Sequence, residues 1–203
     1  MNENMLKQWL KHESASVENI PLDGSIEKAA ALILTQVHEK GGKVVVSGMG
    51  KAGQIGLNIA TTLSSSGTPA VFLHPAEAQH GDLGLVQTND IMLLVSNSGK
   101  TREVLELEYL VKNLRPDIKI LAITGNPDGE LCKVADVTLF TGHPKEMCPL
   151  GLTPTTSTTV MTVIGNLLVA YLMVQTKFDY TEYAKRHHSG YLGQKARESS
   201  ENK

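Results

Sequence analysis

The stretch SNSGKTREV, residues 96–104, crowds three hydroxyls and a glycine together where an apolar run stops. Ser96, Ser98 and Thr101 can each donate an O–H and Gly99 a backbone N–H. A helix starting there would add its N-terminal dipole, and such a set holds a phosphate without a large positive charge. The competing reading is a plain helix N-cap, but a cap uses one side-chain oxygen and three hydroxyls stand here. A Walker-type nucleotide loop is excluded. It needs a glycine five residues before Gly99-Lys100-Thr101, and Leu94 occupies that position.

Three other segments could do chemistry. GMGKAG, residues 48–53, fits G-x-G-x-x-G, but a dinucleotide site also needs an acidic residue about 20 positions on to hold the ribose. The second apolar run ends instead in His74 and Pro75, so NAD is disfavoured and close strand–helix packing explains the glycines as well. Packing does not explain Lys51, whose ammonium could meet an anion or a carbonyl oxygen. HPAEAQHGDLG brings His74, Glu77, His80 and Asp82 together. Glu77 and His80 suit one helical face and would allow a metal site, although mutual orientation or capping is the plainer reading. KEMCPLGLTPTTSTT sets Glu146 in a loop marked by Pro and Gly, and YAKRHHSGYLG carries His187 and His188. A helix start and surface polarity are the bland alternatives for these last two.

The elements that must position these residues alternate. Apolar runs at 43–47, 70–73, 91–95, 119–123 and 137–140 are separated by segments with helical spacing at 51–65, 101–114 and 130–134. Runs apolar throughout, alternating with helices, predict an α/β fold with a parallel sheet covered on both faces. Ile26, Ala29, Ala30, Leu32, Ile33 and Val37 form a helical face near the start, and 157–174 is a long helix apolar on nearly every side. Such a helix is buried, here preferably against a second subunit. Parallel sheets bind ligands outside the carboxyl ends of their strands, which groups the loops after Ser47, Leu73 and Val95.

The totals narrow the function. The chain has 203 residues, 41% hydrophobic and 20% charged, enough for one sizeable domain. A formal net charge of -2 gives no general attraction to nucleic acid or an anionic membrane, so an anionic ligand must be held by local donors. Cys132 and Cys148 read as reduced thiols. No signal-peptide core is present at the start, and no apolar run is expected to reach the ~18–20 residues that span a bilayer. A cytoplasmic protein is the expectation.

Taken in order, GMGKAGQIG, TLSSSGTPAVFLHPAEAQHGDLG, SNSGKTREV, CPLGLTPTTSTT and HHSGYLG resemble the sugar isomerase (SIS) domain of arabinose-5-phosphate isomerases, over about residues 41–193. The resemblance implies a five-stranded parallel sheet flanked by helices and a homotetramer. It implies interconversion of D-ribulose 5-phosphate and D-arabinose 5-phosphate through a cis-enediol, feeding Kdo and lipopolysaccharide synthesis. By the same resemblance Lys51, Glu103, Glu146 and His187 are the catalytic candidates. Ser96, Asn97, Ser98, Gly99 and Thr101 would hold the substrate phosphate, and Gly50, His80 and Thr155 the rest of the sugar. No cofactor or resident metal is implied, with His80 the candidate ligand for an inhibitory metal ion.

Chemistry then suggests roles. Lys51 would stabilise charge on the carbonyl oxygen. Glu103 or Glu146 would shuttle the proton, provided its surroundings raise its pKa. His187 would act on the ring oxygen or O1, for its own or a neighbouring chain. Around residues 41–193 the expectation is an N-terminal helical segment, 1–40, packed on the core, and a disordered tail, 194–203. Full-length family members continue into two CBS domains after the segment matching HHSGYLG, whereas this chain continues about ten residues. A lone SIS domain without CBS regulation is therefore expected, with a pathway nucleotide sugar, CMP-Kdo, as candidate inhibitor in the active site. Lys100 stands where glutamate is common, and His188 replaces a proline. The alternatives are another phosphosugar isomerase, such as a 6-phospho-3-hexuloisomerase, and a non-catalytic sugar-phosphate sensor. HPAEAQHGDLG disfavours the first; retention of all four catalytic residue types disfavours the second.

Overall fold

The computed structural model describes residues 3–201. Two helices, α1 (Glu3–Glu18) and α2 (Ser25–Ile33), come first, and α2 continues through a π-helical turn, Leu34–Glu39. The chain then alternates: β1 (Val44–Gly48), α3 (Gly50–Ser65), β2 (Ala70–Phe72), α4 (Pro75–Ala78), β3 (Ile91–Val95), α5 (Arg102–Leu114), β4 (Lys119–Thr124), α6 (Glu130–Val134) and β5 (Val137–Phe140). Three helices close it: α7 (Thr156–Gln175), α8 (Tyr180–Arg186) and α9 (Gly190–Glu201). All strands pair in parallel in the order β2-β1-β3-β4-β5.

The alternation of side chains along each strand divides the interior into two layers. Val44, Val46, Ile91, Leu93, Leu121 and Ile123 point to one face, where α2, α3 and α7 supply Ile33, Ile59, Leu63, Ile164 and Leu168. Val45, Met92, Leu94, Ile120 and Ala122 point to the other, against Val104, Leu107 and Val111 of α5 and Leu131 of α6. β1 and β3 are buried at every residue, which is why these runs are apolar throughout rather than alternating. Fully burying one such side chain is worth roughly 1.5–3 kcal/mol. At the amino ends of the strands Asp90 is buried but fully engaged. It accepts from the Lys43 N–H (2.9 Å), the Lys43 ammonium (2.6 Å) and the Gln87 N–H (2.7 Å), the condition under which a buried charge is tolerated.

After β1 the chain crosses to the face of α3; after β3 it crosses to the face of α5. β1 and β3 are neighbours in the sheet, with Gly48 beside Val95, so a crevice opens between their carboxyl ends. Two expectations fail here. The loop after β2 belongs to an edge strand, and its α4 packs on α5 rather than joining that crevice. Residues 194–201, expected to be disordered, continue α9; Ala196, at 3% exposure, gives this polar segment an apolar anchor. Residues 202 and 203 of the expected tail lie outside the described residues.

A third correction concerns α7. It is long and apolar enough to cross a membrane by length and composition, with a mean hydropathy of 1.7. In this fold Val160, Met161, Ile164, Leu168 and Leu172 instead pack into the sheet's first core layer.

The close approach of α3 to β1 depends on glycine. A Cβ on Gly53 would lie 2.5 Å from the Gly48 carbonyl oxygen, and one on Gly48 would lie 2.8 Å from the Val95 oxygen. These are backbone atoms, which cannot swing aside. Gly53→Ala is expected to cost about 1–3 kcal/mol through overpacking, read as a lower urea midpoint. An unchanged midpoint would show that α3 can lift off the sheet.

Candidate functional site

A cleft of about 660 Å³ lies at the crevice. The ends of four strands and the starts of three helices, α3, α5 and α7, meet in it. The turn after β1 contributes Met49 and Lys51, the loop after β3 contributes Ser96, Asn97, Ser98, Lys100 and Thr101, and the turn after β4 contributes Asn126. The turn after β5 contributes His143, and the start of α7 adds Ser157 and Thr158 behind Pro154. Of the residues expected to bind phosphate, the cleft lining thus unites Ser96, Asn97, Ser98 and Thr101, and it adds the catalytic candidate Lys51.

The loop after β3 is held in shape from within. The Ser96 and Thr101 hydroxyls are hydrogen-bonded at 2.8 Å, and the Lys100 N–H donates to the Ser98 hydroxyl at 3.2 Å. Gly99 has φ 63°, in the left-handed region glycine favours, and a Cβ there would lie 3.1 Å from the Thr124 hydroxyl. Its N–H donates to the Ser96 carbonyl at 3.1 Å, so this amide shapes the turn instead of pointing a free donor at a ligand. Thr101 is the N-cap of α5 by position, yet its side chain makes no capping bond. The plain-cap reading of this stretch therefore does not describe it. α3 also begins without a side-chain cap, after Met49. Two uncapped helix starts meet the cleft, and each brings partial positive charge from unsatisfied N–H groups. Lys51 and Lys100 add full charges, and no Asp or Glu side chain is among the described residues that line the cleft. An acid-poor, donor-rich crevice of this kind suits an anion, and the overall charge of -2 does not prevent it.

Gly50 has φ 57° and open space where a Cβ would stand; it turns the chain from β1 into α3 immediately before Lys51. Glu146 sits at the start of α7. One of its oxygens accepts from the Thr155 N–H (2.8 Å), the Thr155 hydroxyl (3.1 Å) and the Ser157 N–H (3.2 Å). Partial burial pushes its pKa up, but hydrogen bonds from Ser157 and Thr155 outweigh that, and the carboxyl is held below its usual value. The expectation of surroundings that raise a catalytic carboxylate is therefore reversed at Glu146.

α1 braces this region from outside. His12 bonds the Lys145 carbonyl through Nε2 at 2.7 Å, and Glu13 accepts the Thr156 hydroxyl at 2.5 Å. Adjacent residues of one helix thus grip both sides of the Glu146 loop.

Glu146, Gly50 and Thr155 are not among the residues that line the cleft, and the remaining candidates also lie apart from it. Glu103 is half-buried in the first turn of α5. His80 is exposed beyond α4. His187 ends α8, stacked on Tyr183 with ring centroids 3.8 Å apart, and its Nδ1 lies 3.0 Å from the Tyr183 carbonyl oxygen. α8 follows the end of α7 opposite the cleft, about 30 Å along that helix. No group of three or more His, Cys, Asp or Glu among the described residues could hold a metal ion. Asn126 and His143 were missed by the sequence reading. The rule that drew attention to the strand ends applies equally to β4 and β5, and would have found both.

The residues match known proteins in the same region. The family model of the SIS domain matches residues 37–171. A solved structure from Bacteroides fragilis, ascribed to a phosphosugar isomerase involved in capsule formation, is 60% identical, with a TM-score of 0.90 over 92% of this chain and 97% of that one. A protein of Escherichia coli CFT073 solved in complex with arabinose 5-phosphate is 32% identical, with a TM-score of 0.81 over 92% of this chain and 100% of that one. The arabinose 5-phosphate isomerase KdsD of Francisella tularensis is 43% identical over 174 residues, which are 86% of this chain and 52% of that protein. The chain spans about half the length of the curated relatives it matches. With more than half of its residues matched by the family model, and relatives of like length sharing the whole fold, the chain belongs to the SIS domain family.

Proposed function

We propose that the cleft is the active site of an aldose–ketose isomerase that interconverts D-ribulose 5-phosphate and D-arabinose 5-phosphate through a cis-enediol. The observation that carries this is the acid-free crevice in which Ser96, Ser98, Thr101, the uncapped start of α5 and Lys51 converge. Hydroxyls and helix dipoles take the phosphate, leaving Lys51 for the sugar end. The names of the relatives supply the pentose, and the crevice supplies the reason for a phosphate.

The reaction moves hydrogen between C1 and C2 and passes negative charge through an enediolate oxygen. The Lys51 ammonium, whose Nζ lies 3.4 Å from the Gln54 side-chain oxygen, is positioned to stabilise that oxygen. Glu146, kept ionised by the start of α7, is the carboxylate of this chain best placed to accept the carbon-bound proton. Glu103 and His187 enter through assembly. Exposed apolar side chains on α7 and α9 and in the loop before α7 (Val174 at 72%, Tyr191 at 74%, Leu152 at 78%) support a homotetramer in which His187 serves a neighbouring cleft. Residues 172–193, beyond the family match, belong to the same domain in this reading. A role in Kdo and lipopolysaccharide synthesis, a cytoplasmic location and inhibition by CMP-Kdo are parts of the same proposal. The sensor reading draws on one observation, that Glu103, Glu146 and His187 do not line the cleft of a single chain.

Two expectations test this. Purified protein given arabinose 5-phosphate should produce ribulose 5-phosphate by NMR, and Lys51→Met should lower kcat by about 10²–10³-fold. Binding without turnover in the unmodified protein would move it to the sensors, and turnover of a hexulose phosphate alone would replace the pentose. The second expectation follows from Glu146. Its folded-state pKa is depressed, so its contribution to stability is present above the unfolded-state value and is lost as pH falls through the folded one. Glu146→Gln should therefore be less stable than the parent near neutral pH, by about 0.3–1 kcal/mol, with the difference vanishing in acid. A difference that persists unchanged below the carboxylate range would remove the charge from the account.

A further inference from the structure

The turn after β5 contains a feature that the isomerase reading has not used. His143 has φ 55°, one of two non-glycine residues with positive φ among those described. Histidine tolerates this region better than most residues, but the next residue is Pro144, and a residue before proline is driven to extended backbone. Left-handed backbone ahead of a proline is costly and persists where surrounding structure enforces it, commonly at functional sites. Gly142, at φ 75°, precedes it, and a Cβ there would lie 2.9 Å from the Asn19 carbonyl oxygen at the end of α1. Two consecutive left-handed residues thus shape the turn between α1 and the cleft, and His143, an exposed residue, is part of the cleft lining.

The ring is also fixed chemically. His143 Nδ1 lies 2.7 Å from the Gly125 carbonyl oxygen. A carbonyl can only accept, so Nδ1 carries the hydrogen and donates it. In the neutral ring Nε2 then holds a bare lone pair. Titratable side chains lining the cleft are Lys51, Lys100 and His143 among the described residues. His143 is the one of these that can present a lone pair in its ordinary neutral form.

We propose that His143 is a catalytic residue that carries the proton between the two oxygens of the enediol. This rests on the isomerase reading. In the aldose-to-ketose direction the C2 hydrogen leaves to the carboxylate and the C1 carbonyl oxygen gains a proton to become O1–H. The C1=C2 double bond forms from the C2–H electron pair. Nε2 then takes the proton from O2–H as the C2 carbonyl forms, while C1 regains a hydrogen from the carboxylic acid. The proton on Nε2 is the one supplied to O1 in the next turnover, so the ring gains one proton and gives one up per cycle. Nδ1 stays bonded to Gly125 throughout, which holds Nε2 in place.

His143→Asn is a sharp test. Asparagine accepts left-handed backbone and its amide can replace the Nδ1 donor to Gly125, but it has nothing at the Nε2 position. His143→Gly, free of the backbone cost, is the second variant, assayed with and without added imidazole. The expected result is thermal unfolding and inorganic phosphate affinity within about 2-fold of the parent, kcat lowered about 10²-fold, and a limb missing from the pH–rate profile. Imidazole should restore part of the turnover of His143→Gly. Parent-like kcat and pH profile in His143→Asn would overturn the role, as would a change confined to KM or a glycine variant that imidazole does not rescue. If the parent itself binds phosphate but turns over no pentose phosphate, the isomerase reading falls and this role falls with it. That failure is seen in the parent, whereas failure of His143 alone is seen only in the variants.

Discussion

The pairing of Gly48 beside Val95 at the carboxyl ends of β1 and β3 is the constraint on which the site depends. These neighbouring strands send their following helices to opposite faces of the sheet, so no crossover covers the gap between them. An open α/β sheet has its crevice at this reversal of direction. The glycines serve that geometry first. Gly48 and Gly53 allow α3 to lie against the backbone of β1, and Gly99 allows the next loop to fold beneath Thr124. Both helix starts are thereby held against the same cleft. A shift of either by a side chain's width would leave hydroxyls and dipoles aimed at different points.

What fills the crevice is positive without depending on the charge of the whole chain. Uncapped helix starts and hydroxyls supply fixed partial charges that need no reorganisation when a ligand arrives. The third helix start, that of α7, is treated differently: Glu146 occupies it as an acceptor. The cleft lining is therefore built to receive an anion, while a carboxylate is held just outside that lining at the start of α7. A sugar phosphate is polar in the same sense, with its dianion at one end and the reacting carbons at the other. α1 couples to that carboxylate, since His12 and Glu13 hold the residues on either side of Glu146. The N-terminal segment thus contributes to the position of the proposed base as well as to the core.

Much of this was legible in the sequence for a physical reason. Parallel strands covered on both faces must be apolar throughout, so 91–95 and 119–123 stood out; α5 could be placed by helical spacing and α7 by its length and nearly uniform apolar character. α4 has four residues, too few to show a period, and α8 has no buried residue to mark one apolar face. The tail was misread because a single buried alanine, Ala196, is invisible in a polar stretch. Ser96, Ser98 and Thr101 could be picked out as anion-binding candidates because three hydroxyls beside a glycine at a strand end exceed what one helix cap uses, and all three line the cleft. His143 was not picked out, since the strand-end rule was applied to the loops after β1, β2 and β3 and not to the turn after β5; its backbone conformation and its hydrogen bond to Gly125 show only in the fold. Glu103, Glu146 and His187 came from resemblance, which carries over residues of a whole assembly, whereas the geometry of one chain brings none of them into the cleft lining.

The central claim is that the anion rests on the loop after β3 and the start of α5. The most direct measurement is an amide NMR titration of the protein with inorganic phosphate. The account predicts saturable shifts centred on Ser98, Thr101, Arg102 and Glu103, with smaller ones at Lys51 and Ser157. Saturable shifts centred elsewhere, with these amides unmoved, would contradict it.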